Sequence, residues 1–149
     1  MTEQKELIYR ITKQEDGTYL AVAKYEGFYK NKLINATIPI DARTYGELKQ
    51  RVKDATLDFI SDGFGEKIGL VNPKIKLLYS ELLSNNHDSE NILISGNPEG
   101  QGYRVISNSN LNLDIYNEDL DVLRENLIEE LQKRGYQDKN VEFRLEEVL

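Results

Sequence analysis

Leu7-Ile8-Tyr9-Arg10-Ile11-Thr12-Lys13, followed by Glu15-Asp16-Gly17 and the run from Thr18 to Tyr25, decides how this fold begins. Residues 7, 9 and 11 set apolar side chains on one face of an extended chain, while Arg10 and Thr12 point the other way. Asp-Gly between two β-rich runs is the strongest short hairpin signal, because both residues tolerate the backbone of a tight turn. The return run is rich in Tyr, Leu, Ala and Val, so an antiparallel pair is expected. A third strand is predicted over Leu33 to Ile40, with Ile34, Ala36, Ile38 and Ile40 on one face. Pro39 has no N–H to give to a ladder, which assigns this end of the strand to a sheet edge or to the strand's exit.

Beyond it the period changes. Thr44-Tyr45-Gly46-Glu47 fits a capping box, in which the Thr hydroxyl and the Glu carboxylate each satisfy a free backbone N–H. Tyr45, Leu48, Val52, Ala55 and Phe59 then recur at helical spacing and leave Lys49, Arg51, Lys53, Asp54 and Asp58 to solvent. The spacing predicts a helix over 44–61, stopped by Gly63. Residues 63–72 read as a connection. Asn72-Pro73 opens a short helix, with a cap followed by proline in the first turn, and Ile75, Leu78 and Leu82 form its stripe. Ser84 to Glu90 is polar and aperiodic, the composition of a linker.

After the linker the pattern starts again. Asn91-Ile92-Leu93-Ile94-Ser95 is a strand, Gly96 to Gly100 is turn chemistry, Tyr103 to Ser107 returns, and Leu111 to Tyr116 alternates cleanly. Asn117 caps a helix that carries Glu118, Asp119 and Asp121 in its first turn and Lys133 and Arg134 in its last, complementing the helix dipole at both ends. Leu120, Leu123, Leu127 and Leu131, with Ile128, form its buried stripe, and Gly135 is its stop. Val141 to Leu145 closes the chain as a strand. The fold class is therefore α+β: two antiparallel three-stranded β-sheet units, each followed by a helix, in the order βββα-α-βββαβ. The expected boundaries are 1–63 for the first unit, 64–90 for a connector with a short helix, and 91–149 for the second. The two sheets pack together as one domain or share the intervening helix. Both halves read hairpin, third strand, helix, by duplication or because one helix across three strands is a common way to bury a sheet.

Composition excludes several chemistries. The 149 residues carry 19 Lys and Arg against 26 Asp and Glu, a formal charge of −7, with no cysteine and one histidine, His87. Disulfides, thiolate metal sites, Fe–S clusters and a Cys nucleophile are thereby removed, as is a multi-histidine metal site within one chain. No apolar run approaches the roughly 20 residues that span a bilayer, and the polar start lacks a signal-peptide apolar core. A cytoplasmic location is expected, with no metal and no cofactor.

Gly17-Thr18-Tyr19, Glu26-Gly27-Phe28 and Thr44-Tyr45-Gly46-Glu47-Leu48 stand in an order that resembles the RNase-H-like antitoxin lobe of the HicB family, over residues 7–62. The resemblance implies a hairpin, a third strand and a helix, and a toxin-neutralising or similar inhibitory role. No helix-turn-helix or ribbon-helix-helix segment is evident after it, so the resemblance does not extend to binding operator DNA.

Catalytic constellations are poorly served. His87 stands beside Asp88 and near Ser84 and Ser89, but a Ser–His–Asp site needs three groups held by separate rigid elements, not strung along one polar segment. Adjacent carboxylates such as Asp119/Asp121, Glu129/Glu130 and Glu146/Glu147 diverge rather than converge on a shared pocket. Gly63-Phe64-Gly65-Glu66-Lys67-Ile68-Gly69 has neither the glycine spacing nor the strand–loop–helix context of a phosphate loop.

Two surfaces remain. Lys24-Tyr25-Glu26-Gly27-Phe28-Tyr29-Lys30-Asn31-Lys32 interleaves aromatics with lysines, and Tyr25, Phe28 and Tyr29 are suited to anchor a protein partner. From Asn110 to Leu149 eleven acidic side chains face five basic ones, so that nearly all the net negative charge lies there. Asp119, Asp121, Glu125 and Glu129 are the candidate contacts: positions 118, 121, 125 and 129 follow helical spacing and 119 lies beside them, so most share one exposed face. The leading expectation is a non-catalytic inhibitor, antitoxin-like or anti-defence in role, whose acidic C-terminal face neutralises a basic nuclease or other nucleic-acid-handling effector. Neither nucleic acid itself nor a membrane is an expected partner, and a homodimer stays open. The alternative is a small-molecule or nucleotide binder with Tyr25, Tyr29, Lys30 and Arg43 lining a site between the two units or at a subunit interface. A carboxylate-and-metal hydrolase ranks last.

Overall fold

The computed structural model describes residues 6–61, 73–85, 91–107, 111–136 and 139–149, leaving aside the side chains of Phe28 and Tyr29. The segments Gly63–Gly69 and 86–90, with His87, lie outside the described residues. The elements are β1 (Glu6–Lys13), β2 (Tyr19–Tyr29), β3 (Lys32–Ala42), α1 (Tyr45–Ser61), β4 (Lys74–Ser84), β5 (Asn91–Glu99), β6 (Gly102–Ser107), β7 (Leu113–Asn117), α2 (Leu120–Lys133) and β8 (Asn140–Val148). The strands follow the order β3-β2-β1-β4-β8-β5-β6-β7 in a mixed sheet. The chain divides into two compact units, Met1–Leu78 with Val148–Leu149, and Tyr79–Glu147.

The first hairpin forms where the alternation places it. Tyr9 pairs with Ala23 and Lys13 with Tyr19. The turn carries Gly17 at φ 89°, and Asp16 Oδ1 accepts the Thr18 N–H at 3.0 Å. β3 continues antiparallel to β2 over its whole length, from Tyr29 opposite Lys32 to Tyr19 opposite Ala42. It lies at the end of the strand order, the edge position that Pro39 requires. α1 covers the face that carries Tyr9, Ile11, Tyr19, Ala21, Ala23 and Ile40, and adds its own buried Tyr45, Leu48 and Val52. Tyr19 meets Tyr45 edge to face at 5.9 Å and 71°. Thr56 is 2% exposed. Its hydroxyl donates to Val52 O at 2.7 Å, and Tyr9 Oη lies 3.0 Å from the Thr56 hydroxyl oxygen, so neither polar group is buried without a partner. The Thr44 hydroxyl caps the helix by accepting the Glu47 N–H at 3.1 Å. Only this half of the expected capping box forms, since Glu47 turns its carboxylate to Arg51 at 2.6 Å.

The expected short helix after Pro73 is a strand. In β4 the buried side chains are Leu77 and Tyr79, two apart, which is sheet period rather than the helical spacing of Ile75, Leu78 and Leu82. Both periods are legible in Ile75-Lys76-Leu77-Leu78-Tyr79. The strand wins because a position beside β1 lets it bury Leu77 and Tyr79 and satisfy its backbone in a ladder. The boundary between the units falls inside β4, between Leu78 and Tyr79, not in a connector over 64–90.

With β4 a strand, each half runs βββαβ. β1-β2-β3-α1-β4 recurs as β5-β6-β7-α2-β8, and in both the first strand lies between the second and the last. In the second unit β5 runs antiparallel to β6 and parallel to β8, with Ile94 opposite Phe143 and Gly96 opposite Leu145. The parallel pair is made through the α2 crossover, as such pairs require. α2 lays Leu120, Leu123, Leu127 and Leu131 on a core of Ile94, Val105, Leu113, Val141, Phe143 and Leu145. Its N-cap is Asp119, whose side chain accepts the Asp121 N–H at 2.9 Å, and not Asn117. Asn117, two residues earlier, instead accepts the Asp119 N–H at 2.8 Å. Gly135 ends the helix region at φ 74°, as its sequence position implies.

Gly102 is packed where a β-carbon does not fit: it would lie 2.6 Å from Asn117 O and 2.7 Å from Glu118 Cα. Gly46, in α1, has open space around that position. Urea denaturation is therefore expected to show Gly102→Ala destabilised by about 2 kcal/mol through overpacking against backbone and Gly46→Ala stabilised by about 0.5 kcal/mol through a lower entropy of the unfolded chain.

Candidate functional site

The acidic surface of the second unit starts from how α2 is held. Arg124 lies on the side of α2 toward β4 and grips Glu81 with two parallel bonds, Nε to Oε2 and Nη2 to Oε1, each 2.7 Å. Both side chains are largely buried, 16% and 13% exposed. The Tyr79 hydroxyl donates to the same carboxylate. Hydrogen bonding and charge from Glu81 push the Arg124 guanidinium above its ordinary range against the opposing effect of burial. This fork fixes the rotation of α2 about its axis, because a bidentate arginine–carboxylate pair accepts one geometry.

With Arg124 turned inward, the opposite side of the helix faces solvent. Glu118, Asp119, Val122, Glu125 and Glu129 are exposed along it, while Asp121 is half-buried. Of the four carboxylates expected there, each has a local role. Asp119 caps the helix. Asp121 stands in the first turn, where the helix dipole favours an anion. Glu125, 70% exposed, meets Arg124 Nη1 at 2.8 Å. Glu129, 64% exposed, lies 3.5 Å from Lys133. Glu130 pairs with Arg134, which holds its carboxyl below the usual value of 4.5, with Lys133 adding to the effect. The ridge is negative but laced with cations at its C-terminal end.

A second anchor lies near the helix start. The Tyr103 hydroxyl donates to Glu147, 3.0 Å from Oε2. Burial and the Glu147 carboxylate push this phenol far up, and Asp119 adds to the effect. On the sheet, Arg104 holds Glu99 and Asp114 together, the latter at 2.7 Å, and stacks its guanidinium 5.2 Å from the Tyr116 ring centre. Ser80 donates to Glu142 at 2.7 Å, which lowers the Glu142 carboxyl, with Arg144 assisting.

Unit by unit the charge is sharply divided. Residues 79–147 hold six basic against fifteen acidic side chains, whereas 1–78 with 148–149 hold thirteen basic against eleven acidic. The sequence showed an acidic tail. It did not show that the remainder carries a small positive excess, because the fifteen include Glu81, Asp88, Glu90 and Glu99, which precede the tail.

The other expected site residues are not brought together. Tyr25 stands opposite Ala36, and Tyr29 opposite Lys32 at the β2–β3 turn, where Lys30 is exposed. Arg43 follows Ala42 at the opposite end of the same hairpin. Lys32 and Ala42 of β3 are ten positions apart, roughly 33 Å at the rise of a strand. Within one chain, Lys30 and Arg43 therefore stand at opposite ends of the hairpin, with Tyr25 between them. Arg43 instead borders a polar hollow of about 430 Å³ with Thr18, Asp41, Glu47 and Arg51, where Arg51 is engaged by Glu47 and by the Asp41 carbonyl at 2.8 Å. The side chains of Phe28 and Tyr29 lie outside the description. Glu81 and Arg124 were missed as a pair because Glu81 reads as an inward position only once 74–84 is taken as a strand.

Among the described residues, no three His, Cys, Asp or Glu side chains converge to hold a metal, and no helix is long and apolar enough to cross a membrane. Comparison with family models, with curated proteins and with solved structures returns no match.

Truncating one member of the Arg124–Glu81 pair leaves the other charge without its partner. Arg124→Ala is expected to lower unfolding stability by about 3 kcal/mol, and Arg124→Met with Glu81→Leu to recover most of it, as measured in urea. The pH response follows from Asp16, Glu130 and Glu142, all held below their ordinary values. A depressed carboxyl favours the native state while ionised, so its contribution is complete above the unfolded value and disappears as pH falls through the folded one. The melting temperature is expected to hold level down to about pH 5 and to drop below about pH 4.5 as these groups protonate.

Proposed function

We propose that this protein is a non-catalytic inhibitor whose acidic second unit docks on the basic, nucleic-acid-binding surface of an effector protein. The observation that carries this reading is the excess of fifteen acidic over six basic side chains in residues 79–147, with exposed Glu118, Asp119, Glu125 and Glu129 aligned on the solvent side of α2. A groove built for phosphates presents Lys and Arg, and a ridge of carboxylates on a rigid helix offers them the same hydrogen-bond acceptors. Opposite fields also accelerate encounter and select against acidic partners. The resemblance of residues 7–62 to the HicB antitoxin lobe supports the same role, since a toxin acting on nucleic acid has such a groove.

Rigidity matters to this mechanism. The Arg124–Glu81 fork and the Asp119 cap hold the ridge before binding, so little ordering entropy is lost on association. Local cations at Lys133 and Arg134 mute the C-terminal end, which leaves the stretch from Glu118 to Glu125 as the part of the ridge with the strongest field.

Affinity capture from the native host, read by mass spectrometry, supplies the partner for the decisive measurement. With that partner purified, Kd is expected to rise at least tenfold between about 50 and 300 mM salt, and about tenfold again for Glu118→Lys combined with Glu125→Lys. Binding that ignores both salt and charge reversal defeats the proposal.

A further inference from the structure

The strand order ends in β3 on one side and β7 on the other, and the two edges are finished differently. β7 has five residues and carries Asp114, held by Arg104. β3 has eleven. Between Lys32 and Pro39 it presents Leu33-Ile34-Asn35-Ala36-Thr37-Ile38, six residues with no charge and no proline. Natural edges are shortened, charged or bulged because an unpaired row of N–H and C=O groups is a template for another strand. β7 follows that rule and the middle of β3 does not.

Which groups face outward follows from the turn. Tyr29 stands opposite Lys32 across Lys30 and Asn31, whose φ values are 50° and 66°. A two-residue loop of this hand closes on a hydrogen-bonded pair. Alternation from that pair directs Lys32, Ile34, Ala36 and Ile38 to exchange bonds with β2, and turns the N–H and C=O of Leu33, Asn35 and Thr37 to the open side. Pro39 falls in the outward set, opposite Val22, so its missing N–H is lost from the edge and not from the ladder with β2.

The open edge is symmetric about Asn35. Four residues before it the strand has entered its turn at Asn31, and four residues after it stands Pro39. We propose that a second copy of this chain pairs antiparallel with β3, centred on Asn35. Leu33 then faces the partner's Thr37, Asn35 faces the partner's Asn35, and Thr37 faces the partner's Leu33. Every outward donor between the turn and Pro39 is used, and each proline stands opposite a turn residue that needs no ladder bond. Pairing odd positions with odd ones keeps the faces of both sheets in register. On the face toward α1, Ile34 meets the partner's Ala36, extending an apolar row that is half-buried in one chain. A foreign strand matches these donors too, but the equal spacing of the two terminators about one residue favours the edge pairing with itself.

Sedimentation equilibrium of the full chain over a wide concentration range tests this. A reversible monomer–dimer transition is expected, and Asn35→Pro is expected to leave only monomer, because proline there removes an outward N–H and spares the bonds to β2. Circular dichroism checks that this variant folds. If it does not, Asn35→Cys decides. The chain has no cysteine of its own, and a hydrogen-bonded cross-strand pair sets Cα atoms about 5.5 Å apart, within disulfide reach. Oxidation is expected to cross-link Asn35→Cys and not Asp41→Cys. A monomer at every concentration, including one that takes up an extended peptide from another protein, overturns the proposal, as does a dimer unaffected by Asn35→Pro or equal cross-linking at both positions.

Discussion

One helix covers one face of a small sheet and no more, and both units of this protein are built under that limit. The strands must bury side chains on alternate positions: Leu7, Tyr9 and Ile11 of β1, Tyr19, Ala21 and Ala23 of β2 and Val141, Phe143 and Leu145 of β8 are buried, and Arg10, Lys24 and Arg144 beside them meet solvent. The same limit explains the aromatic anchors. Tyr19 with Tyr45 and Tyr79 with Phe143 are buried edge-to-face pairs, and both meet at 71°. Gly96 belongs to this economy: a β-carbon there would stand 3.0 Å from the Phe143 ring, so the ring comes close to the strand because nothing projects from it.

Much of this was legible in the residues. The Asp16-Gly17 turn, the edge position of Pro39, the span of α1 and the leucine stripe of α2 each rest on a local rule that the tertiary structure had no reason to override. β4 was not legible, because Ile75, Leu78 and Leu82 satisfy helical spacing while Leu77 and Tyr79 satisfy sheet spacing, and Pro73 opens either element. The choice depends on an open place beside β1, which is a property of the assembled sheet. The cap at Asp119 rather than Asn117 is a smaller case of the same kind, with two capping residues two positions apart sharing the work.

The candidate site was half legible. Helical spacing set the carboxylates of α2 on one side; Glu118, Asp119, Glu125 and Glu129 are exposed, while Asp121 is half-buried. What spacing did not reveal is what turns that side outward, since the Arg124–Glu81 fork joins residues 43 positions apart. Nor did composition reveal that Tyr25 and Arg43 stand at different levels of one long hairpin. Register, not nearness in sequence, sets which side chains meet.

The turn that closes this hairpin carries a side chain where glycine would be less strained. Lys30 holds φ 50°, a backbone that costs an ordinary L-residue about 1 kcal/mol. Retaining a lysine there, with Lys32 two residues on, sets positive charge at the start of six uncharged residues that include Leu33, Ile34 and Ile38. Such flanking charges repel the indefinite stacking of identical strands into fibrils. Local strain at the turn is thus exchanged for protection of the whole population of chains, a benefit visible only in concentrated solution.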